Sequence, residues 1–270
     1  MSEIELINPI DKVKFKDNLI DLSPFPYFCI DNFLDEDFAN EIYEAFPSFQ
    51  ESQKVGREFN AVNEKKKIQI TDSTKFPPAI LKLHKLLASK EFLEMMSDLM
   101  GIPNLVADPK LIGGGIHETS SGGRLDVHVD FNYLKDRKLY RRLNILIYFN
   151  KDWKEEYGGD LDIWDKDVKN CCGSFAPVFN RACGFATSEV SYHGVMPVNC
   201  PDGEMRKSFA TYFYTAEAPE NGVSDYHSTI FKARPKEWFR EGVLMPAEGV
   251  IRKTRSQYKA IKHKIKELTS

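Results

Sequence analysis

Arg124-Leu125-Asp126-Val127-His128-Val129-Asp130 alternates polar and apolar residues with a period of two. That is the pattern of a half-buried strand, on which residues i and i+2 project from one face. His128 and Asp130 can therefore reach a single ion. His193, in Val190-Ser191-Tyr192-His193-Gly194-Val195, supplies a third ligand if a neighbouring strand brings it alongside. Two histidines and one carboxylate leave part of an octahedral metal open. A His-X-Asp pair alone is weak, because short motifs arise by chance and such pairs more often sit on a surface. Its weight comes from what surrounds it.

Around this stretch lie short runs of alternating apolar residues, at 110–117, 124–130, 143–149, 160–164, 181–187, 194–198 and 208–215, separated by Gly, Asp and Asn. Regularly spaced strands of this kind predict a sandwich or barrel. With a metal site inside, the expected fold is α+β with a mainly β core, a double-stranded β-helix of the jelly-roll class. That core is expected over 106–216. Supporting helices and a strand occupy 1–105 as part of the same domain, and 217–270 forms an extension ending in a basic helix that carries Arg252, Lys253, Arg255, Lys259, Lys262, Lys264 and Lys266. Pro24-Phe25-Pro26-Tyr27-Phe28-Cys29-Ile30 reads as a strand after a Pro-set turn. Asp35 caps a helix that Pro47 ends, and another runs from Ser89 to Gly101. The polar, lysine-rich stretch 50–70 reads as a mobile loop.

Composition is that of an ordinary globular protein: 270 residues, 42% hydrophobic, 29% charged, net charge −3. It gives no case for a nucleic-acid partner, and no segment has the length of a membrane span. The N-terminus lacks the continuous apolar stretch of a signal peptide. Five cysteines (Cys29, Cys171, Cys172, Cys183 and Cys200) fit neither a disulfide framework nor zinc spacing, and read as reduced thiols of a cytoplasmic protein. Nothing in the sequence sets the oligomeric state.

Two further stretches carry a family resemblance. Ile147-Tyr148-Phe149-Asn150-Lys151-Asp152-Trp153, then Gly158-Gly159-Asp160-Leu161-Asp162-Ile163, resembles the corresponding part of the oxygen-sensing prolyl hydroxylases. Gly184-Phe185-Ala186-Thr187-Ser188-Glu189-Val190-Ser191-Tyr192-His193-Gly194-Val195 is similar to their strand and loop entering the distal histidine. Over roughly residues 112–215 the chain thus resembles the prolyl-4-hydroxylase-like branch of Fe(II)/2-oxoglutarate-dependent dioxygenases. The lead-in Pro24–Leu34 looks like that of many bacterial members.

The resemblance implies that His128, Asp130 and His193 bind Fe(II), with 2-oxoglutarate and O2 as cosubstrates and ascorbate as reductant. It implies that Arg206 and Tyr148 hold the far carboxylate of 2-oxoglutarate. Arginine suits that role, since its planar fork matches a carboxylate bidentately. Arg206 lies thirteen residues beyond His193, a longer connection than is usual in the oxygen-sensing enzymes. Either the turn 199–203 absorbs the length or Lys207 takes the role, because alternation lets only one of the two face inward. The Arg-X-Ser pattern of Arg206 and Ser208 is the family's commoner form.

Other candidates stay open. His117 either lines the pocket or is a satisfied structural histidine. Asp126 shares a face with His128 by alternation, so it meets substrate, supports a ligand, or points to solvent. His84, His227 and His263 carry no constellation, Trp153 and Trp164 read as core, and the basic C-terminal helix reads as a solvated face. The expected reaction is hydroxylation of an unactivated C–H bond with release of succinate and CO2, on a prolyl residue. The alternatives are a small molecule (a free amino acid, glycan or natural-product precursor) and a noncatalytic cupin-like binding module. Specificity is expected in the loops 50–75, 117–124 and 131–142. The last holds Lys135, Arg137, Lys138, Arg141 and Arg142 and would attract an acidic peptide or anionic metabolite.

Overall fold

A computed structural model describes residues 3–20, 23–219, 226–235, 237 and 245. Its strands are β1 (Tyr27–Ile30), β2 (Arg57–Asn60), β3 (Glu64–Ile70), β4 (Val106–Ala107), β5 (Gly115–Val129), β6 (Tyr133–Leu134), β7 (Leu139–Tyr148), β8 (Leu161–Trp164), β9 (Cys171–Phe175), β10 (Arg181–Ala186), β11 (His193–Val195), β12 (Met205–Thr215) and β13 (Ile230–Phe231). The helices are α1 (Lys12–Ile20), α2 (Glu36–Ala45), α3 (Phe49–Val55), α4 (Pro78–Leu87) and α5 (Lys90–Met100). Hydrogen bonding runs β1-β10-β7-β12-β5-β11-β8-β9, antiparallel throughout. The first half of β5 pairs with β12 and the second half with β11, so one strand joins the larger sheet to the smaller. This is the expected double-stranded β-helix.

Local chemistry explains the helices. The Asp35 carboxylate accepts from the Phe38 N–H at 3.1 Å and the Ser89 hydroxyl from the Phe92 N–H at 3.2 Å, each satisfying a donor with no partner inside the helix. Gly101 ends α5 at φ 63°, a left-handed conformation that glycine adopts without strain. Alternation on β7 separates two interiors. Ile145 and Ile147 pack with Ile80, Leu83, Phe92 and Met96 beneath the helices, whereas Tyr148 packs with Leu161, Cys183 and Phe185 inside the barrel. Each fully buried side chain of this size contributes about 1.5–3 kcal/mol.

Two expectations are corrected. Residues 50–70 are no loop: they hold α3, β2 and β3, and β3 pairs with β5 along its outer edge. The Lys65 and Lys66 side chains are exposed, so the strand forms through pairing with β5 and through its buried Ile68-Gln69-Ile70 end. The separate strands expected at 110–117 and 124–130 fall largely within one strand, β5, which runs on through Gly122-Gly123. Gly122 (φ 79°) and Gly123 let β5 pass between sheets, bridged to Val198 by bonds of 2.7 and 2.9 Å. The expected basic helix and His263 lie outside the described residues. Among those described, no helix is long and apolar enough to cross a membrane.

Glu118, on the helix-facing side of β5, is fully buried. Burial pushes its carboxyl up to about 7, with the Ser52 hydroxyl and Lys207 offsetting part of the effect. Between pH 4.5, its ordinary value, and about 7 the unfolded chain is ionised at this group while the folded chain stays neutral. Stability therefore falls as pH rises through that window, by about 3 kcal/mol. Glu118→Gln is expected to remove this loss, so that denaturation midpoints of variant and parent diverge from pH 5 to 8. Parallel curves would show that the carboxyl stays ionised in the fold.

Candidate active site

His128 ends β5 with Val129, Asp130 follows, and His193 opens β11 directly opposite His128. Each imidazole Nδ1 lies 2.9 Å from a backbone carbonyl, Asp126 for His128 and Ser191 for His193. A carbonyl only accepts, so each Nδ1 carries the proton and each Nε2 presents a lone pair. The two Nε2 atoms stand 3.5 Å from different oxygens of Asp130. Ligand atoms of all three residues lie within 4.8 Å of one another. Burial, then the neighbouring His128, pushes the His193 imidazole down to about 3, so it stays neutral. Burial opposes charge on Asp130, but the Arg141 guanidinium and the imidazoles outweigh it and hold its carboxyl well below the usual range. Two imidazole nitrogens and an ionised carboxylate form the donor set of a non-haem iron site.

Asp130 is itself held from behind. Its Oδ2 pairs with the Arg141 guanidinium at 2.9 Å and accepts from the Asn144 amide at 2.8 Å, and Arg141 Nε donates to Asn144 Oδ1 at 2.8 Å. Arg141 is buried, its guanidinium 3.6 Å from the centre of the Tyr212 ring. This corrects the expected cationic mouth. Of the cations at 135–142, Arg141 faces the carboxylate, Arg137 pairs with Asp108 at 2.6 Å, and Arg142 donates to Thr215 at 3.1 Å, leaving Lys135 and Lys138 exposed. Asn144 had a readable signal, a polar residue at an inward position of an apolar strand.

Arg206 faces inward and Lys207 outward, where its ammonium lies over the Tyr43 and Phe46 rings. A turn at 201–204, closed by Glu204 N–H to the Pro201 carbonyl at 3.1 Å, takes up the long connection. Arg206 Nε donates to the Gly159 carbonyl at 2.6 Å, and its guanidinium lies 4.9 Å above the Tyr148 ring. A Cβ on Gly159 would come within 2.9 Å of the Arg206 side chain, so glycine makes the cradle. Arg206 Nη2 and the Tyr148 hydroxyl are buried without a hydrogen-bond partner. Buried donors of this kind call for an acceptor.

A cavity of about 60 Å³ runs from the His–Asp–His group to Arg206, and its wall includes Lys67, His117, Thr119, Arg124 and Leu125. Lys67 was hidden in the stretch read as a loop. His117 lines the cavity and is also held, its Nε2 3.1 Å from the Gly113 carbonyl, so both readings hold together. Asp126 is absent from the wall, contrary to the alternation argument. β11 pairs His193 with His128 but Val195 with Leu125, so β5 carries one extra residue between the pairs. This bulge reverses the parity, turning Leu125 inward and Asp126 away. Asp126 supports His128 through its backbone carbonyl, and its carboxylate lies 3.6 Å from Arg124 and 3.9 Å from Arg234.

Sequence reading missed Arg234 altogether. The segment 226–234 crosses the metal strand, with β13 pairing Phe231 to His128 and Ile230 to Val129. Arg234 donates through Nε and Nη2 to Asp162 Oδ2 at 3.1 and 3.0 Å, tying the tail to β8. Asp162 also accepts from the Trp164 indole at 3.2 Å, which makes Trp164 core as expected. Arg234→Ala is expected to cost about 1–3 kcal/mol, the penalty for a buried acceptor losing part of its bonding. Chemical denaturation checks it, and an unchanged midpoint would show the tail does not pin the barrel. Of the remaining candidates, His84 packs against Phe76 and Phe209, His227 meets Glu189 at 3.0 Å, and the half-buried Trp153 donates to the Gly158 carbonyl.

Residues 114–214 match the family model of the 2OG-Fe(II) oxygenase superfamily. Comparison with curated protein sequences gives no match. Among solved structures, the chain is similar to a prolyl hydroxylase from Trichoplax adhaerens, in complex with a hypoxia inducible factor oxygen degradation domain peptide fragment. Identity is 17% and the TM-score 0.52, over 75% of this chain and 90% of that one. It is also similar to a prolyl 4-hydroxylase from Phytophthora capsici, at 19% identity and a TM-score of 0.56, over 89% and 74%. At these identities the likeness concerns the fold. Residues 114–214, the barrel built around the His–Asp–His group, are thus similar to a 2OG-Fe(II) oxygenase domain.

Proposed function

We propose that this dioxygenase hydroxylates a prolyl residue within a peptide, with His128, Asp130 and His193 holding Fe(II) and with Arg206 and Tyr148 holding the far carboxylate of 2-oxoglutarate. The observation that carries the cosubstrate assignment is a pair of orphaned buried donors: Arg206 Nη2, on a side chain that lines the cavity together with the His–Asp–His group, and the hydroxyl of Tyr148, whose ring lies under the Arg206 guanidinium. A dicarboxylate reaching from the His–Asp–His group to Arg206 would supply the missing acceptor. Bound iron supplies the oxygen chemistry, coupling decarboxylation of 2-oxoglutarate to oxidation of a C–H bond, with ascorbate keeping it reduced.

The protein's own residues do the positioning. Backbone carbonyls fix both imidazole tautomers, Arg141 and Asn144 fix the Asp130 carboxylate, and the Arg206–Tyr148 pair orients the cosubstrate. The apolar walls Leu125, Leu146, Leu161 and Val195 exclude water.

A peptide substrate is supported by the outer side of Asp130. There a groove of about 870 Å³ opens, walled by Phe131, Asn132, Arg142, Ser188 and Glu189. Its volume and its lining by both signs of charge suit a peptide better than one metabolite. The Trichoplax enzyme, by its description, holds a peptide. Succinate release from 2-oxoglutarate, with Fe(II) and ascorbate, tests the reading against pools of proline-containing peptides and of small molecules. The expected result is succinate together with a peptide gaining one oxygen atom at proline. Succinate release only with the small-molecule pool would move the assignment to a free amino acid, glycan or natural-product precursor.

A further inference from the structure

Cys29 and Cys183 stand face to face on β1 and β10, as direct antiparallel partners. Their sulfurs are 3.5 Å apart, with the Cys183 thiol donating to the Cys29 sulfur. Directly opposed residues on antiparallel strands have Cα atoms about 4.5–5.5 Å apart, within the span of about 4.4–6.8 Å that disulfides bridge. Only the sulfurs need to approach, to about 2.0 Å. The two sites differ in a way that divides the labour. Cys29 is exposed and Cys183 is buried. The Cys183 hydrogen bond lowers the Cys29 thiol, burial opposing and the Arg181 guanidinium assisting, while burial raises Cys183 well above its ordinary value. Arg181 also pairs with Asp31, which raises Cys29 slightly in turn.

We propose that Cys29 and Cys183 are a redox modification site, a dithiol that hydrogen peroxide converts to a disulfide. The Cys29 thiolate attacks one peroxide oxygen; the S–O bond forms, the O–O bond breaks, and the departing hydroxide takes a proton to leave as water. Cys183 then attacks the resulting sulfenic sulfur, the S–S bond forms, the S–O bond breaks, and a second water leaves carrying the Cys183 proton. Both sulfurs are oxidised and one peroxide is reduced. Access is provided by an open cleft of about 390 Å³ beside Cys29, between Phe15, Phe28, Asp31 and Phe175. The other thiols are less readily ionised, since burial raises Cys171, Cys172 and Cys200. Cys183 packs in the same cluster as Tyr148, so the bond would fasten the edge strand β1 directly behind that side chain.

The test treats the full chain with hydrogen peroxide, alkylates it in denaturant, and maps the peptides. The expected result is a cross-linked Cys29–Cys183 peptide that dithiothreitol releases, with Cys171, Cys172 and Cys200 alkylated. In Cys183→Ser, dimedone is expected to trap a sulfenic acid at Cys29. In Cys29→Ser, whose exposed position tolerates the change, Cys183 is expected to stay reduced. Oxidation of Cys29 beyond the sulfenic state without a cross-link in the parent chain would overturn the proposal. So would oxidation of Cys183 in Cys29→Ser, or of the other cysteines before Cys29.

Discussion

His193→Ala is expected to lower Fe(II) affinity by more than about 100-fold, beyond the loss typical of removing a supporting residue around a metal, and to abolish turnover. The fold should survive. His193 lies at the cavity end of β11, its ring against Phe185 and His128, and β11 keeps its backbone pairing to β5 and β8. Asp130→Ala is expected to behave differently. It removes a ligand and also strips Arg141 of its carboxylate, leaving a buried guanidinium against Asn144 and the faces of Phe131 and Tyr212, with no opposite charge among these. Breaking a buried pair from one side costs about 3–5 kcal/mol. Metal titration by calorimetry, with far-UV circular dichroism and chemical denaturation, separates the two outcomes. Unchanged metal affinity in the His193 variant would sink the ligand assignment. Equal stability of the two variants would show that Arg141 does not depend on Asp130.

The contrast between the two ligands marks what could be read from the sequence and what could not. Period-two alternation placed His128 and Asp130 together because both lie on the same side of the bulge in β5. The same rule failed for Asp126, since the extra residue that turns it away is set by pairing with β11, a strand more than sixty residues downstream. The caps at Asp35 and Ser89 were legible because each bond spans three residues. β3 was not, because its stability comes from β5, and Glu64-Lys65-Lys66-Lys67 has the composition of a solvated loop. Charge likewise misled at 135–142. A sequence shows that Arg141 is cationic but not that the strand turns it onto a buried carboxylate. Arg234 joins Asp162 from seventy-two positions away, in a tail whose composition gives no sign of it. Local interactions were readable, and of the partners set by the fold His193 was found through its motif, whereas those of Asp126, Arg141 and Arg234 carried no such mark.

Arg206→Ala is expected to raise the 2-oxoglutarate requirement by at least an order of magnitude while Fe(II) binding stays intact. Removing the cation from a desolvated carboxylate contact costs about 2–5 kcal/mol. Two other cations, Lys67 and Arg124, line the same cavity, so the loss should fall toward the lower part of that range. Lys67 is already engaged with Glu64 at 2.9 Å and Arg124 lies 3.6 Å from Asp126, so neither is free to replace Arg206 fully. Tyr148→Phe removes one hydroxyl and leaves the ring under the guanidinium, a loss of about 1–2 kcal/mol. Lys207→Ala is expected to leave the cosubstrate requirement unchanged, because its ammonium sits over Tyr43 and Phe46 on the helix side of the sheet. The measurement is the 2-oxoglutarate dependence of succinate release at saturating iron, alongside a metal titration of each variant. A larger defect in Lys67→Ala or Arg124→Ala than in Arg206→Ala would relocate the carboxylate to the β3 side of the cavity. In that case the orphaned Arg206 and Tyr148 donors would face some other acceptor.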